Sequence, residues 1–594
     1  MPTYTPPLRD IRFTFEHIAG LDELAKLDGL THADLDSSMD VVGEFGRFCV
    51  DKLLPTNRPG DVAGSRVVDG RVVTPAGFKE AYAAYFEAGW SSVPFEPGYG
   101  GGGFPWLVAL AMQEILNSVN MAFALCPLLT QGFIELLTVH GTEQQKQRYL
   151  TKLISGEWTG TMNLTEPEAG SDVGALRTRA VKQADGTYRI SGTKIFITYG
   201  DHDMAENVVH LVLARTPEAP PGTKGISLFI VPATLVDDDG ALGERNKVNV
   251  VSIEHKMGIH ASPTCVLEFD GAVGELVLDE QQGMRGMFTM MNNARLSVGT
   301  QGLGLCEAAY QAALQYAKVR TQGRAVGSPA GTSSPIIEHP DVRRMLLTMK
   351  AYTEASRALC YFNARQVDLA HHHPDPDARA EAAQLGALLT PLSKAWVTDL
   401  ANEVTSLGVQ VHGGMGFIEE TGVAQLYRDA RIAAIYEGTN GIQAIDLVLR
   451  KVPLRGGAVL TEMVSRMRAT AQELAGAPGA LASVGSRLAD ALDTVEEANA
   501  WLRRNAEDPD QLLAAATPYL RLLSQVVGGW LLGVEALAAS RALSGAPSDD
   551  RAFLEAKVAT ACFYAEHLLP MVEGLIATIT SGKEALFATP ADAL

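Results

Sequence analysis

The chain lacks a cysteine pair, a surplus of positive charge and an unbroken apolar run. Its six cysteines (Cys49, Cys126, Cys265, Cys306, Cys360, Cys562) are scattered over 594 residues with no Cys-x-x-Cys spacing. That argues against a disulfide framework or a zinc site and suits reduced, buried thiols in a cytoplasmic protein. Lys and Arg number 49 against 69 Asp and Glu, a formal net charge of −20. Such a chain carries no general attraction for nucleic acid or for an anionic membrane surface. The longest charge-free stretch, Ile115 to Ile134, is interrupted by Asn117, Ser118, Asn120, Pro127, Gln131 and Gly132, so it reads as a buried helix pair and not as a transmembrane segment. Residues 1–15 carry Arg9, Asp10 and Arg12 without an apolar core, and no signal peptide is expected there. No long internal repeat is present.

Hydrophobic residues make up 46% of the chain and charged residues 20%, the balance of a globular protein too long for one core. Periodicity divides it into an N-terminal arm (1–34), an N-terminal α-helical domain (35–156), a middle β domain (157–283), a C-terminal helical domain (284–455) and an additional helical domain (456–594). In the first helical domain Thr74-Pro75 predicts the start of a helix through Phe78, Tyr82, Tyr85 and Phe86. Thr142-Glu143-Gln144-Gln145 predicts a capping box. The glycine run Gly100 to Gly103 after Pro97-Gly98-Tyr99 is read as a turn, because no Gly-Lys-Ser follows it. The β domain places β-branched and aromatic residues around a turn in Tyr188–Thr198, with further strands at Val208–Ala214, Ile226–Val231 and Thr264–Phe269.

Helical period returns with Asn292–Val319 and Val342–Val367. Between helices, His371-His372-His373 is read as a solvated turn, since adjacent loop residues rarely converge on one metal ion; no metal site is expected. The last domain is alanine-rich, broken at Gly476–Gly479 and at Gly545-Ala546-Pro547, and reads as three or four helices. Its net charge is −7.

Candidate chemistry centres on Ala434-Ile435-Tyr436-Glu437-Gly438-Thr439-Asn440-Gly441-Ile442-Gln443. One carboxylate stands between an apolar stretch and a Gly-Thr-Asn-Gly turn. Apolar neighbours raise a carboxylate's pKa toward the range a general base needs, and the following glycine admits close approach of a ligand. Alone, this pattern is more often a helix-end or turn residue than a catalyst. Three further segments change that: Met162-Asn163-Leu164-Thr165-Glu166-Pro167-Glu168-Ala169-Gly170-Ser171-Asp172, Phe196-Ile197-Thr198, and Gln410-Val411-His412-Gly413-Gly414-Met415-Gly416.

In this order the segments resemble the acyl-CoA dehydrogenases, FAD enzymes that oxidise acyl-CoA thioesters to trans-2-enoyl-CoA, and the resemblance runs from about residue 35 to 450. It implies an α+β multidomain fold: an N-terminal α-helical domain, a middle β domain and a C-terminal four-helix domain, here followed by an additional C-terminal helical bundle. It places Leu164, Thr165, Gly170 and Ser171 beside the flavin, with Ser171 also near the substrate. Phe196-Ile197-Thr198 matches the family's Trp-Ile-Thr against the flavin ring. Phe keeps the ring packing and loses the indole donor. Met162 stands where many members have Tyr or Phe.

The resemblance assigns Arg320 to the FAD diphosphate of a neighbouring subunit, and Gln410, Gly413 and Gly414 to a segment closing over that FAD. A shared cofactor implies a homo-oligomer, with a dimer preferred. Thr439 also falls at the cofactor, and Asn292, Arg295 and Gly438 at the substrate. Glu437 becomes the catalytic base, removing the α proton while the β hydride passes to flavin N5. In the mechanism the resemblance implies, the Glu437 backbone N–H and a ribityl hydroxyl hold the thioester carbonyl. Some members carry the base just before the Arg295 position; Ala294 stands there and cannot serve. The resemblance also implies that reduced flavin passes its electrons to electron-transfer flavoprotein.

The arm Tyr4–Phe13, the loop Gly258–Thr264 and the added domain resemble larger bacterial members, among them the 3-methylmercaptopropionyl-CoA dehydrogenases. Acyl-chain length stays open, and Cys126–Gly132 is a candidate lining for the acyl pocket. Two alternatives stand beside this reading: an acyl-CoA oxidase, and an alkylation-response flavoprotein whose last domain binds DNA. The −7 charge of residues 456–594 argues against the second.

Overall fold

A computed structural model describes residues 4–329, 331–545 and 547–594. Residues 1–3 of the arm and Ala546 of the second expected break lie outside the described residues. Helices, then a β domain, then helices again follow one another as the sequence predicts, and the last helices form the additional bundle. By packing the chain forms two units: Met1–Gly43 with Pro105–Glu114 and Val298–Leu594, and Glu44–Phe104 with Ile115–Ser297.

The second unit is built on a seven-stranded sheet. Its path runs Trp158–Asn163, Asn207–Ala214, Ser227–Pro232, Thr264–Val277, Tyr188–Thr198, Arg179–Lys182, with Val248–Ile253 also paired to Thr264–Val277. The first pair is parallel and the others antiparallel. Every residue of Asn207–Ala214 is buried, as expected of a strand covered on both faces. The turn expected within Tyr188–Thr198 is absent: the segment is one 11-residue strand. Gly192 sits there because Thr178 crosses closely; a Cβ would lie 2.5 Å from the Thr178 Oγ1.

The apolar stretch is a 35-residue helix, Trp106–His140, broken at Asn120 (φ −160°, ψ 85°). Asn120 caps the part that follows: its Oδ1 accepts from Phe123 N at 3.0 Å and its Nδ2 donates to Thr56 Oγ1 at 3.0 Å. This helix and Pro509–Leu543 are long and apolar enough to cross a membrane, and both are mostly buried within the fold. Thr142 and Gln145 form the expected capping box, each side chain bonding the other's backbone N–H. Thr74-Pro75 does not start a helix. Thr74 donates its backbone N–H and hydroxyl to Asp203 instead, and the helix opens at Phe78 after Gly77 in a left-handed conformation.

In the first unit, the helix Pro340–His372 extends beyond its expected end and takes in His371 and His372, so only His373 caps it. The helices Ala458–Gly476, Leu481–Arg504, Pro509–Leu543 and Ser548–Phe563 form the additional bundle. Pro509–Leu543 is its core: Leu523, Val526, Val527 and Leu531 are all buried. Gly528 lets this helix press on Trp396, since a Cβ would stand 2.6 Å from the indole.

A buried ion cluster ties this bundle to the rest of the unit. Lys557 Nζ lies 2.8 Å from Asp10, 3.3 Å from Glu354 and 3.3 Å from Glu535, and Lys350 also pairs with Glu354. Thr14 Oγ1 donates to Glu535 at 2.9 Å. The arm, the Pro340–His372 helix and two helices of the bundle thus share one set of charges. Burial pushes the Lys557 ammonium toward neutrality, and three carboxylates outweigh it and raise its pKa.

Candidate active site

The residues expected at the site divide between the units. In the second unit, Trp158–Asn163 delivers Leu164 and Thr165 to a tight turn. Glu166 and Ala169 exchange backbone hydrogen bonds of 3.1 and 3.0 Å, which leaves Gly170 and Ser171 exposed beyond it. Ile195 N donates to the Thr165 carbonyl at 2.9 Å, so the turn is stitched to the strand that carries Phe196, Ile197 and Thr198.

A second bond network holds the same turn from below. Lys194 is fully buried and donates to the Leu164 carbonyl at 2.9 Å and to Glu166 Oε1 at 2.7 Å. Glu166 also accepts backbone N–H bonds from Arg177 and Thr178, at 2.6 and 3.1 Å. Burial brings the Lys194 ammonium down to about 8, against the pull of Glu166. Burial acts to raise the Glu166 carboxyl, but the Lys194 charge and these hydrogen bonds hold it below its usual value.

Phe196 has a left-handed backbone (φ 59°) and is 58% exposed as a residue, while Ile197 beside it is buried in the sheet. A large aromatic ring held clear of the core by strained backbone is suited to stacking on a planar ligand. These residues therefore fit a flavin ring. Asn292 and Arg295 share the helix Gly283–Val319, one turn apart, with Arg295 Nη1 3.5 Å from Asn292 Oδ1. Arg295 is buried and Asn292 exposed. The Cys126–Gly132 stretch is buried in the Trp106–His140 helix, where Gly132 makes room for Met290.

In the first unit, Glu437 sits between a short 3₁₀ turn, Arg431–Ala434, and the helix Asn440–Asp446. Glu437 and Gly438 both have positive φ, 57° and 83°. For glutamate this costs about 1–2 kcal/mol, so the flanks must impose it. Before Glu437, the Tyr436 hydroxyl donates to Gln301 Oε1. Burial raises the phenol far above its usual pKa and keeps it a donor. After it, Thr439 caps the helix by accepting from Ile442 N at 3.3 Å. Asn440 accepts from Lys394 Nζ at 2.9 Å and donates to Asp399 at 2.7 Å and to the Ala395 carbonyl at 3.0 Å. Gln443 Nε2 reaches the Glu437 carbonyl at 3.4 Å. The carboxylate is carried by a turn fixed at both ends.

Arg320 and the Gln410–Gly414 segment are brought together in the same unit. Tyr316, one turn before Arg320, stacks on His412 with centroids 4.4 Å apart. His412 is buried, which lowers its pKa, and its Nδ1 bonds the Gly408 carbonyl at 2.7 Å. Gly413 leaves the helix with φ 59° and ψ −138°, a conformation suited to glycine. Arg320, Gln410, Gly413 and Gly414 are exposed, as are Val319, Met415, Phe417 and Ile418 nearby in the chain.

Four family models match the chain. The family models described as acyl-CoA dehydrogenase N-terminal, middle and C-terminal domains match residues 67–157, 161–272 and 281–452. A fourth, "Acetyl-CoA dehydrogenase C-terminal like", matches residues 463–590. The chain belongs to the acyl-CoA dehydrogenase family, whose members are FAD-containing oxidoreductases. Within that family it is 49% identical over 568 residues to the 3-methylmercaptopropionyl-CoA dehydrogenase of Ruegeria pomeroyi, covering 96% of each chain. It is 38% identical over 598 residues to a butyryl-CoA dehydrogenase of Syntrophomonas wolfei, again covering 96% of each. Its fold matches that of a Bacillus anthracis acyl-CoA dehydrogenase complexed with FAD, with a TM-score of 0.72, 22% identity, and coverage of 93% and 89%.

Proposed function

We propose that this chain is an FAD-dependent dehydrogenase of short acyl-CoA thioesters in which Glu437 is the catalytic base. The observation that carries the proposal is the Glu437 turn. A glutamate is held in left-handed backbone by a tyrosine–glutamine bond on one side and an asparagine network on the other. Such a turn presets a carboxylate and leaves it little freedom to lose on binding substrate. Ala294, at the alternative position for a base, is a buried methyl.

When bound, FAD supplies the acceptor for the hydride leaving the β carbon. The protein's part is to take the α proton on the Glu437 carboxylate, and to donate the Glu437 backbone N–H to the thioester carbonyl as charge develops on it. Leu164, Thr165, Phe196, Ile197 and Thr198 would hold the flavin ring. Gly170 and Ser171 would border it, with Ser171, Asn292, Arg295 and Gly438 toward the acyl-CoA. Thr439, in this reading, serves the cofactor as well as capping its helix. Similarity to enzymes named for 3-methylmercaptopropionyl-CoA and butyryl-CoA supports a short chain, with or without sulfur.

Arg320, Gln410, Gly413 and Gly414 would serve the FAD of a second copy of this chain, favouring a homodimer. The exposed apolar side chains of Val319, Met415, Phe417 and Ile418 support that reading. Electron-transfer flavoprotein is the proposed oxidant of the reduced enzyme, and the cytoplasm its proposed compartment. The test is anaerobic titration of the purified flavoprotein with butyryl-CoA, 3-methylmercaptopropionyl-CoA and longer thioesters, with its mass read by light scattering. Bleaching of the flavin by the short thioesters is expected. No bleaching by any thioester would overturn the assignment, and peroxide formed at turnover rate in air would replace the dehydrogenase with an oxidase.

A further inference from the structure

A cavity of about 270 Å³ lies in the first unit, lined by the helices Pro340–His372, Pro376–Pro391 and Ala458–Gly476. Arg365, Gln384, Glu381, Arg455, Glu462 and Arg466 line it. None of them has a part in the site described above.

Among the described residues, the guanidinium groups of Arg365 and Arg466 make no ion pair and no side-chain hydrogen bond. Arg455 differs, being held by Glu462. The Arg365 Nε and the Gln384 Oε1 are both shut off from solvent and without a hydrogen-bond partner. A guanidinium has five N–H donors, and one left unsatisfied inside a protein is costly. The arrangement is also electrostatically unfavourable. Burial and the charge of Arg466 lower the pKa of Arg365, and Glu23 only partly offsets them. By contrast the fully buried Arg357 is neutralised, clamped between Glu114 and Glu307 at 2.6 Å from each.

We propose that this cavity is a phosphate-binding site, with Arg365 and Arg466 as its ligands. The lining carries three guanidinium groups, Arg365, Arg455 and Arg466, against two carboxylates, Glu381 and Glu462, and Glu462 is already engaged by Arg455; the remaining guanidinium charge and its fork geometry suit a phosphate dianion. The volume admits one small anion or one phosphate group of a larger molecule. Two sources share that chemistry: free inorganic phosphate, and a nucleotide phosphate such as those on the adenosine 3′,5′-bisphosphate head of coenzyme A.

Calorimetric titration of the full-length protein as purified, at constant ionic strength set with chloride, tests this. Inorganic phosphate and adenosine 3′,5′-bisphosphate are each titrated into wild type and into Arg365→Gln, Arg466→Gln and Arg468→Gln. Arg466 is exposed, so its variant keeps the fold. Arg468 is a nearby control already paired with Asp493 and Glu496. Saturable binding at least tenfold weaker in Arg365→Gln and Arg466→Gln, and unchanged in Arg468→Gln, is expected. Tighter binding of the bisphosphate, lost in the same two variants, assigns the site to a nucleotide; tighter binding of inorganic phosphate assigns it to the free ion. Absence of saturable binding by either probe, or binding that survives Arg466→Gln unchanged, overturns the proposal.

Discussion

The Tyr436 hydroxyl donates to the Oε1 of Gln301, and the strained turn carrying Glu437 begins at that bond. Gln301 is buried on the Gly283–Val319 helix. The bond therefore joins the turn to the longest helix near it, and the geometry of the proposed base depends on a residue far away in sequence.

Tyr436→Phe and Gln301→Leu remove that bond without adding charge. Each is expected to slow single-turnover flavin reduction about tenfold, which is about 1.4 kcal/mol on the barrier. Substrate affinity should change much less, because the loss is in positioning. Stopped-flow reduction rates against thioester concentration separate the two effects. Unchanged limiting rates in both variants would show that the turn holds itself.

Lys194 and Glu166 brace the turn that presents Leu164 and Thr165. Lys194→Met leaves Glu166 as a buried carboxylate without its cation, a loss of about 3–5 kcal/mol. The expected result is a fall in melting temperature together with weakened FAD retention on gel filtration. Adding Glu166→Gln to Lys194→Met should restore part of the stability, because no lone charge then remains.

Asp368 gives a pH dependence with a defined sign. Its carboxylate caps the Trp106–His140 helix, accepting from Trp106 N at 2.6 Å and Leu107 N at 3.0 Å. Burial pushes its pKa up to about 7 despite these bonds. The folded protein thus keeps a proton that the unfolded chain releases near the ordinary carboxyl value of 3.8. Between those values the folded state binds more protons, so this group's contribution is fullest below pH ~4 and is lost as pH rises to about 7. Urea unfolding of wild type and Asp368→Asn should show the wild-type advantage shrinking from pH 5 to pH 8. A gap that widens with pH would contradict the assignment.

Lys557 is the cation shared by the arm and the additional bundle. Lys557→Met should lower stability by about 3–5 kcal/mol and expose the arm to protease at Arg9 and Arg12. Combining it with Glu535→Gln should recover part of the loss. If the arm stays protected in Lys557→Met, the cluster is not what holds it.

The sequence made some of these features readable and hid others for physical reasons. Thr142 and Gln145 are three residues apart, so their capping box is a local pattern. The Glu437-Gly438-Thr439 turn is equally local. Tyr436 with Gln301, and Lys557 with Asp10, are pairs whose partners lie far apart in the chain, and no periodicity links them. Thr74-Pro75 misled because Asp203, more than a hundred residues away, took the hydroxyl that would have capped a helix. Lys194 did leave a trace: it is a charged residue at an inward position of an alternating strand. The unpaired Arg365 and Arg466 left none, because pairing is decided only once helices pack.

The most direct test of the central claim is anaerobic reduction of Glu437→Gln by butyryl-CoA and 3-methylmercaptopropionyl-CoA, beside wild type. Glutamine keeps the shape of the turn and cannot take a proton. The account predicts thioester binding at near wild-type affinity with flavin reduction slowed by at least a thousandfold, the scale of losing a general base. Reduction of the variant at a wild-type rate would place the base elsewhere.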